Sequence, residues 1–149
     1  MPATPPLERE SSDSTPPHPS VSDQPDGIRD RVTLTGIAAM GHHGVFDFER
    51  ERGQRFVVDL TCSLDLGPAA RTDDLTLTVD YGALAQAVVA DIQGDPLNLI
   101  EALADRIART CLSYEAVRSV EVTVHKPQAP VPVEFADVAV TLTRSRPHD

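Results

Sequence analysis

Lysine is all but missing from this chain of 149 residues: twelve arginines carry the rest of the basic charge, and Lys126 stands alone. Tryptophan is absent and only six residues are Phe or Tyr, so the core has to be built from Val, Leu, Ile and Ala. Two cysteines, Cys62 and Cys111, are too few for a disulfide framework or a metal quartet. Both fall on apolar stripes and read as small core hydrophobes, which fits a reducing cytoplasm. No apolar run approaches the length of a membrane span. Basic charge is scarce as well, and the net charge of -10 argues against nucleic acid or an anionic membrane as partner.

What is present divides unevenly. Residues 1–27 hold seven of the thirteen prolines with several Ser and Asp and almost no large apolar side chain. Such a segment cannot bury enough surface to offset its ordering entropy, so it is expected to be a disordered acidic tail. It has neither a basic start nor an apolar stretch of the kind that marks a secretory signal. Residues 28–146 are expected to form one domain, with 147–149 as a short C-terminal tail.

Within that domain, Arg31 to Ala39 reads as a strand whose phase changes at Gly36, the mark of a bulge. A turn at Gly41-His42-His43-Gly44 and a charged loop through Glu49 to Gly53 follow. Gln54 to Leu66 alternates cleanly from Phe56 onwards and predicts an antiparallel strand with one covered face. After a loop at Arg71 to Asp74, Asp80 is placed to cap a helix carrying Tyr81, Leu84, Val88 and Ile92. Gly94-Asp95-Pro96 ends it, and a second helix carries Ile100, Leu103, Ala104, Ile107, Ala108 and Cys111. A strand then runs to Lys126, and a last one places Val138, Val140 and Leu142 inward. The order β-β-α-α-β-β predicts an α+β domain of two layers, a four-stranded antiparallel sheet with both helices on one face.

Lys126 has the parity of Val120, Val122 and Val124, so it is expected to point to the face those valines bury. Pro127 follows at once and ends the strand. Two readings stand side by side: a lysine can lay its methylenes on apolar surface with its ammonium in water, or it can exchange a proton where arginine cannot. Glu101 lies one turn into the second helix; Asn98-Leu99-Ile100-Glu101 matches a capping box, and the same carboxylate is suited to a bidentate donor edge. Tyr81 can pack, stack on a flat ligand or serve as an acid. Glu49, taken alone, belongs to a solvated charge run. His42 and His43 are adjacent rather than spaced H-x-H, so their rings are expected to diverge, and His125 is expected to face away from Lys126. No zinc-hydrolase motif, phosphate loop or serine elbow is present, so no metal or cofactor is expected.

Several stretches together resemble dihydroneopterin aldolase of folate biosynthesis. They are Gly41-His42-His43-Gly44-Val45, Gly53 to Asp59, Arg71-Thr72-Asp73-Asp74, Thr78-Val79-Asp80-Tyr81, Asn98 to Ala104, and His125-Lys126-Pro127 through Pro130. The resemblance spans residues 30 to 146. It implies a tunnelling fold in which subunits join edge to edge into a barrel-like tetrameric ring, commonly stacked as an octamer, with active sites between subunits. It also implies cleavage of a small pterin substrate, 7,8-dihydroneopterin, by Lys126 and Tyr81. Glu49, Tyr81, Ile100 and Glu101 would bind substrate, with no metal and no Schiff base. Epimerisation or oxidation of the same substrate, and a non-catalytic pterin-binding ring, are the alternatives within the resemblance. A zinc-dependent pterin enzyme is a third, disfavoured by the missing H-x-H.

Overall fold

The structure, a computed structural model, describes residues 29–147, so the expected tail over residues 1–27 lies outside them. Four strands, β1 (Arg31–Gly41), β2 (Gln54–Ser63), β3 (Ser119–His125) and β4 (Ala139–Ser145), form one sheet in chain order, every pair antiparallel. Between β2 and β3 run the two long helices, α3 (Tyr81–Gln93) and α4 (Ile100–Leu112). Three shorter elements complete the fold: α1 (Asp47–Arg52), α2 (Gly67–Thr72) and a 3-10 turn at Leu75–Leu77.

Burial follows strand parity. Phe56, Val58, Leu60 and Cys62 of β2 and Val120, Val122 and Val124 of β3 are buried under Leu84, Val88 and Ile92 of α3 and Leu103, Ala104, Ile107 and Cys111 of α4. The two cysteines meet across this layer as free thiols. Asp80 caps α3 by accepting the Ala83 N–H at 3.2 Å. The bulge expected at Gly36 is present: the β1–β2 register shifts between Leu34 and Ile37, and Gly36 takes a φ of 77° that other residues disfavour.

Several expectations are corrected. β1 runs two residues further, to Gly41, and β2 stops at Ser63 rather than Leu66, where Leu64 leaves the ladder to bond Asp30. The loop read at Arg71 to Asp74 overlaps α2, which is too short to show periodicity. Val138 precedes β4 and is exposed, although its carbonyl still accepts the Lys126 N–H at 2.8 Å.

On the sheet face away from the helices, His125 joins three parts of the chain. Its Nδ1–H donates to Asp137 at 2.7 Å and its Nε2–H to Asp59 at 2.8 Å, while Asp59 also accepts the Gly36 N–H at 2.8 Å. Asp137 and then Asp59 raise the imidazole pKa, so the charged form is favoured in the folded state. A raised folded value means that the clasp contributes fully below the ordinary histidine value of about 6.5 and is lost as pH rises through the folded value. Urea unfolding midpoints should therefore decline from pH 6 to pH 9, and His125→Asn should flatten that decline.

Candidate active site

β2 begins and β3 ends at the same rim of the sheet, since their pairing closes at Val57↔His125. One residue beyond β3, Lys126 turns to the helix side, as the valine parity requires, and its side chain is 13 % exposed. Nζ lies 2.7 Å from Oε2 of Glu49, whose side chain is 1 % exposed. His125, of opposite parity, faces the other way. A cavity of about 240 Å³ lined by Arg55, Val57, His125, Pro127 and Asp137 lies on that other face, so it is not a cleft served by Lys126.

Glu49 is the main departure from the expected site. The run Asp47 to Arg52 is a helix, not a loop, and Glu49 alone among its charged residues is buried. Local charge density conceals this, because burial depends on specific partners on both sides of the helix and on Lys126, far along the chain. Oε1 accepts the Phe46 N–H at 3.2 Å, and Oε2 accepts Gln54 Nε2 at 2.9 Å as well as Lys126. Burial alone would push the carboxyl pKa up. The hydrogen bonds from Lys126, Gln54 and Phe46 outweigh it and hold the group below the usual carboxylate range. Gly44 makes room for this arrangement: a Cβ there would fall 2.2 Å from Glu49 Oε1.

The two histidines diverge as expected, but His43 does more than turn away. It is fully buried, accepts the Leu97 N–H at Nδ1 (3.0 Å) and donates Nε2–H to Ile92 O (2.7 Å). It thereby ties the Gly41–Gly44 turn to the α3–α4 connection as a neutral ring, and burial lowers its pKa. His42 donates its Nδ1–H to Arg50 O. Arg50 in turn donates to Gly44 O at 2.8 Å and to the Asn98 side chain.

That last contact corrects the capping box. Leu99, not Asn98, is the N-cap of α4, no side chain caps it, and Asn98 is occupied by Arg50. At the start of α4 the Ala102 and Leu103 amides donate to Leu99 O, while those of Ile100 and Glu101 have no side-chain cap, next to the exposed Glu101 carboxylate. Glu101 has no hydrogen bond or ion pair to Lys126 or Glu49 among the described residues. Tyr81, at the start of α3, is 64 % exposed rather than packed, and it too meets neither of them within one chain. The structure thus joins Lys126 to Glu49 and leaves Tyr81 and Glu101 facing outward.

Gln54 is the residue that the sequence reading missed. It continues the inward parity of Phe56, Val58 and Leu60 to the first position of β2, and a polar residue in that phase at a strand end was the available signal. Among the described residues, no group of three or more His, Cys, Asp or Glu side chains is placed to hold a metal ion. No helix there is long and apolar enough to cross a membrane.

Known proteins resemble this chain over most of the described residues. A family model described as dihydroneopterin aldolase matches residues 32–143. The dihydroneopterin aldolase of Streptomyces coelicolor is 58 % identical over 117 residues, covering 78 % of this chain and 98 % of that protein. The Bacillus subtilis enzyme of the same name is 42 % identical over 118 residues, with 78 % and 98 % covered. The crystal structure of E. coli dihydroneopterin aldolase in complex with neopterin superimposes with a TM-score of 0.71 at 28 % identity, covering 78 % of this chain and 99 % of that one. The four-stranded sheet with its helices on one face is the tunnelling-fold unit, and this chain belongs to the dihydroneopterin aldolase family.

Proposed function

We propose that this chain cleaves 7,8-dihydroneopterin by a retro-aldol reaction to 6-hydroxymethyl-7,8-dihydropterin and glycolaldehyde, in tetrahydrofolate biosynthesis. The observation that carries this is the Lys126–Glu49 pair at 2.7 Å, an exchangeable amine fixed at the inner rim beside a carboxylate. In the proposed reaction Lys126, once its ammonium has released a proton to solvent, accepts the proton of the substrate's side-chain hydroxyl as a neutral amine, through water. The carbon–carbon bond to the departing aldehyde then breaks, and its electron pair passes into the dihydropterin ring as an enamine. Tyr81 protonates that intermediate, and the ring needs neither a metal nor a Schiff base to hold the charge.

Glu101 is assigned the donor edge of the pterin, a planar N–H pair that suits a carboxylate, with the Ile100 backbone beside it. Glu49 is assigned the hydroxylated side chain as well as the placement of Lys126. Tyr81 is assigned to the neighbouring subunit's site, which fits its exposure. Assembly into a tetrameric ring, stacked as an octamer, is supported by the two sheet edges β1 and β4 and by the exposed Val45, Phe46, Phe48 and Leu99. The free thiols Cys62 and Cys111 support a cytoplasmic setting.

Chelator-treated protein incubated with 7,8-dihydroneopterin, with products separated by chromatography, tests the proposal. The hydroxymethyl product and glycolaldehyde should form in equal amounts. A trace with only the 2′-epimer or an oxidised xanthopterin would assign the protein that activity instead, and binding without any product would leave a pterin-binding ring.

A further inference from the structure

We propose that Gln54 is a positioning residue for the Lys126–Glu49 pair: its side-chain amide holds Glu49 Oε2 at the one point where that oxygen also receives Lys126. The proposal rests on the function assigned above, although its physical core can be tested without it.

The geometry is specific. Gln54 Nε2 stands 2.9 Å from Glu49 Oε2, and Lys126 Nζ stands 2.7 Å from the same atom, so two donors converge on one oxygen. The other oxygen is held by the Phe46 N–H. Gln54 is itself buried, and its Oε1 is a buried acceptor with no hydrogen-bond partner. An orphaned buried carbonyl is costly and calls for a reason. Rotating the amide by half a turn would set that carbonyl against the Glu49 carboxylate, oxygen facing oxygen. The unpaired Oε1 is thus what remains when the amide is committed to Glu49. A residue that merely opened β2 would have no need of this orientation.

The groups around Glu49 leave Gln54 as its neutral donor from the sheet. From α1 itself, Arg50 turns to Gly44 O and Asn98, and from the preceding turn His42 and His43 bond Arg50 O and the Ile92–Leu97 segment. Lys126, at the end of β3, is the charged group that bonds the carboxylate. Removing the Gln54 donor should therefore free Oε2 to move, loosen Lys126 and make the carboxylate easier to protonate.

Three measurements decide the matter. In the wild-type protein, the Gln54 side-chain amide resonance should titrate with the midpoint of the Glu49 carboxyl carbon; an amide indifferent to that titration overturns the proposal. In Gln54→Met, similar in size but without the donor, the Glu49 midpoint should rise by about one to two pH units, as expected for a lost hydrogen bond to a charged group. The acid limb of kcat/KM for 7,8-dihydroneopterin should rise with it, and Gln54→Glu should move it further by setting a second carboxylate against the first. An unmoved Glu49 midpoint contradicts the proposal, and so does a shifted midpoint with an unmoved rate profile, which would leave Gln54 a structural partner only. If the wild-type protein does not cleave the substrate, the assigned function fails and the titrations alone decide whether Gln54 holds Glu49.

Discussion

Replacing Lys126 with arginine is expected to lower kcat about 10²- to 10⁴-fold, the usual worth of a positioned proton-transfer group, while pterin binding stays near its wild-type strength. Arginine keeps the positive charge that Glu49 Oε2 meets at 2.7 Å, so the buried carboxylate is not left without a partner. What it removes is proton exchange, because a guanidinium does not deprotonate in a protein. Equilibrium binding of a pterin, followed by its fluorescence, separates the two effects. If Lys126→Arg turned over normally, the proton-transfer role would be wrong. If it failed to bind, Lys126 would be a binding residue first.

The second large effect is expected at a residue with no side chain. In Gly44→Ala the new methyl would lie 2.2 Å from Oε1, 2.3 Å from the carboxyl carbon and 2.6 Å from Oε2 of Glu49. The backbone there has a φ of 151°, which a side chain disfavours, and it is tied down by Gly44 N–H to Leu97 O and by Arg50 to Gly44 O. Glu49 has to give way, and Lys126 loses its anchor. Turnover should fall roughly 100-fold, since misplacing a catalytic constellation by about 1 Å costs that much. Stability should fall by about 1–3 kcal/mol from overpacking and strain. Gly36→Ala is the control: its φ of 77° is also strained, but a Cβ meets nothing within 4 Å, so it should cost stability and leave kcat unchanged. Equal losses of turnover in both variants would show that Gly44 matters only to the backbone.

Much of this arrangement was legible from the sequence because burial in a sheet has a period of two. The alternation from Phe56 to Cys62 and from Val120 to Val124 fixed which face is covered, and it placed Lys126 on the inner side of the rim. Extending the same count back by one step would have found Gln54. Asp80 marked the start of α3 because an N-cap acts locally. Where contacts are distant in sequence, local reading failed. Glu49 sits among five other residues of a helix that carries four further charges, and its burial rests on Gly44, Phe46 and Gln54 nearby together with Lys126 far along the chain. Asn98 looked like a cap because nothing nearby competes for it; Arg50, 48 positions away in sequence, does. Tyr81 and Glu101 are exposed in the single chain, and their spacing on the two helices carries no signal of what covers them.

The most direct test of Lys126 as a proton carrier that forms no covalent bond is to quench aliquots into borohydride during turnover of 7,8-dihydroneopterin and weigh the intact protein. Borohydride would fix any imine between substrate and lysine as a permanent gain in mass. Unchanged mass throughout, while the hydroxymethyl product accumulates in parallel aliquots, is the predicted result. A substrate-derived adduct that maps to Lys126 and vanishes in Lys126→Arg would contradict it.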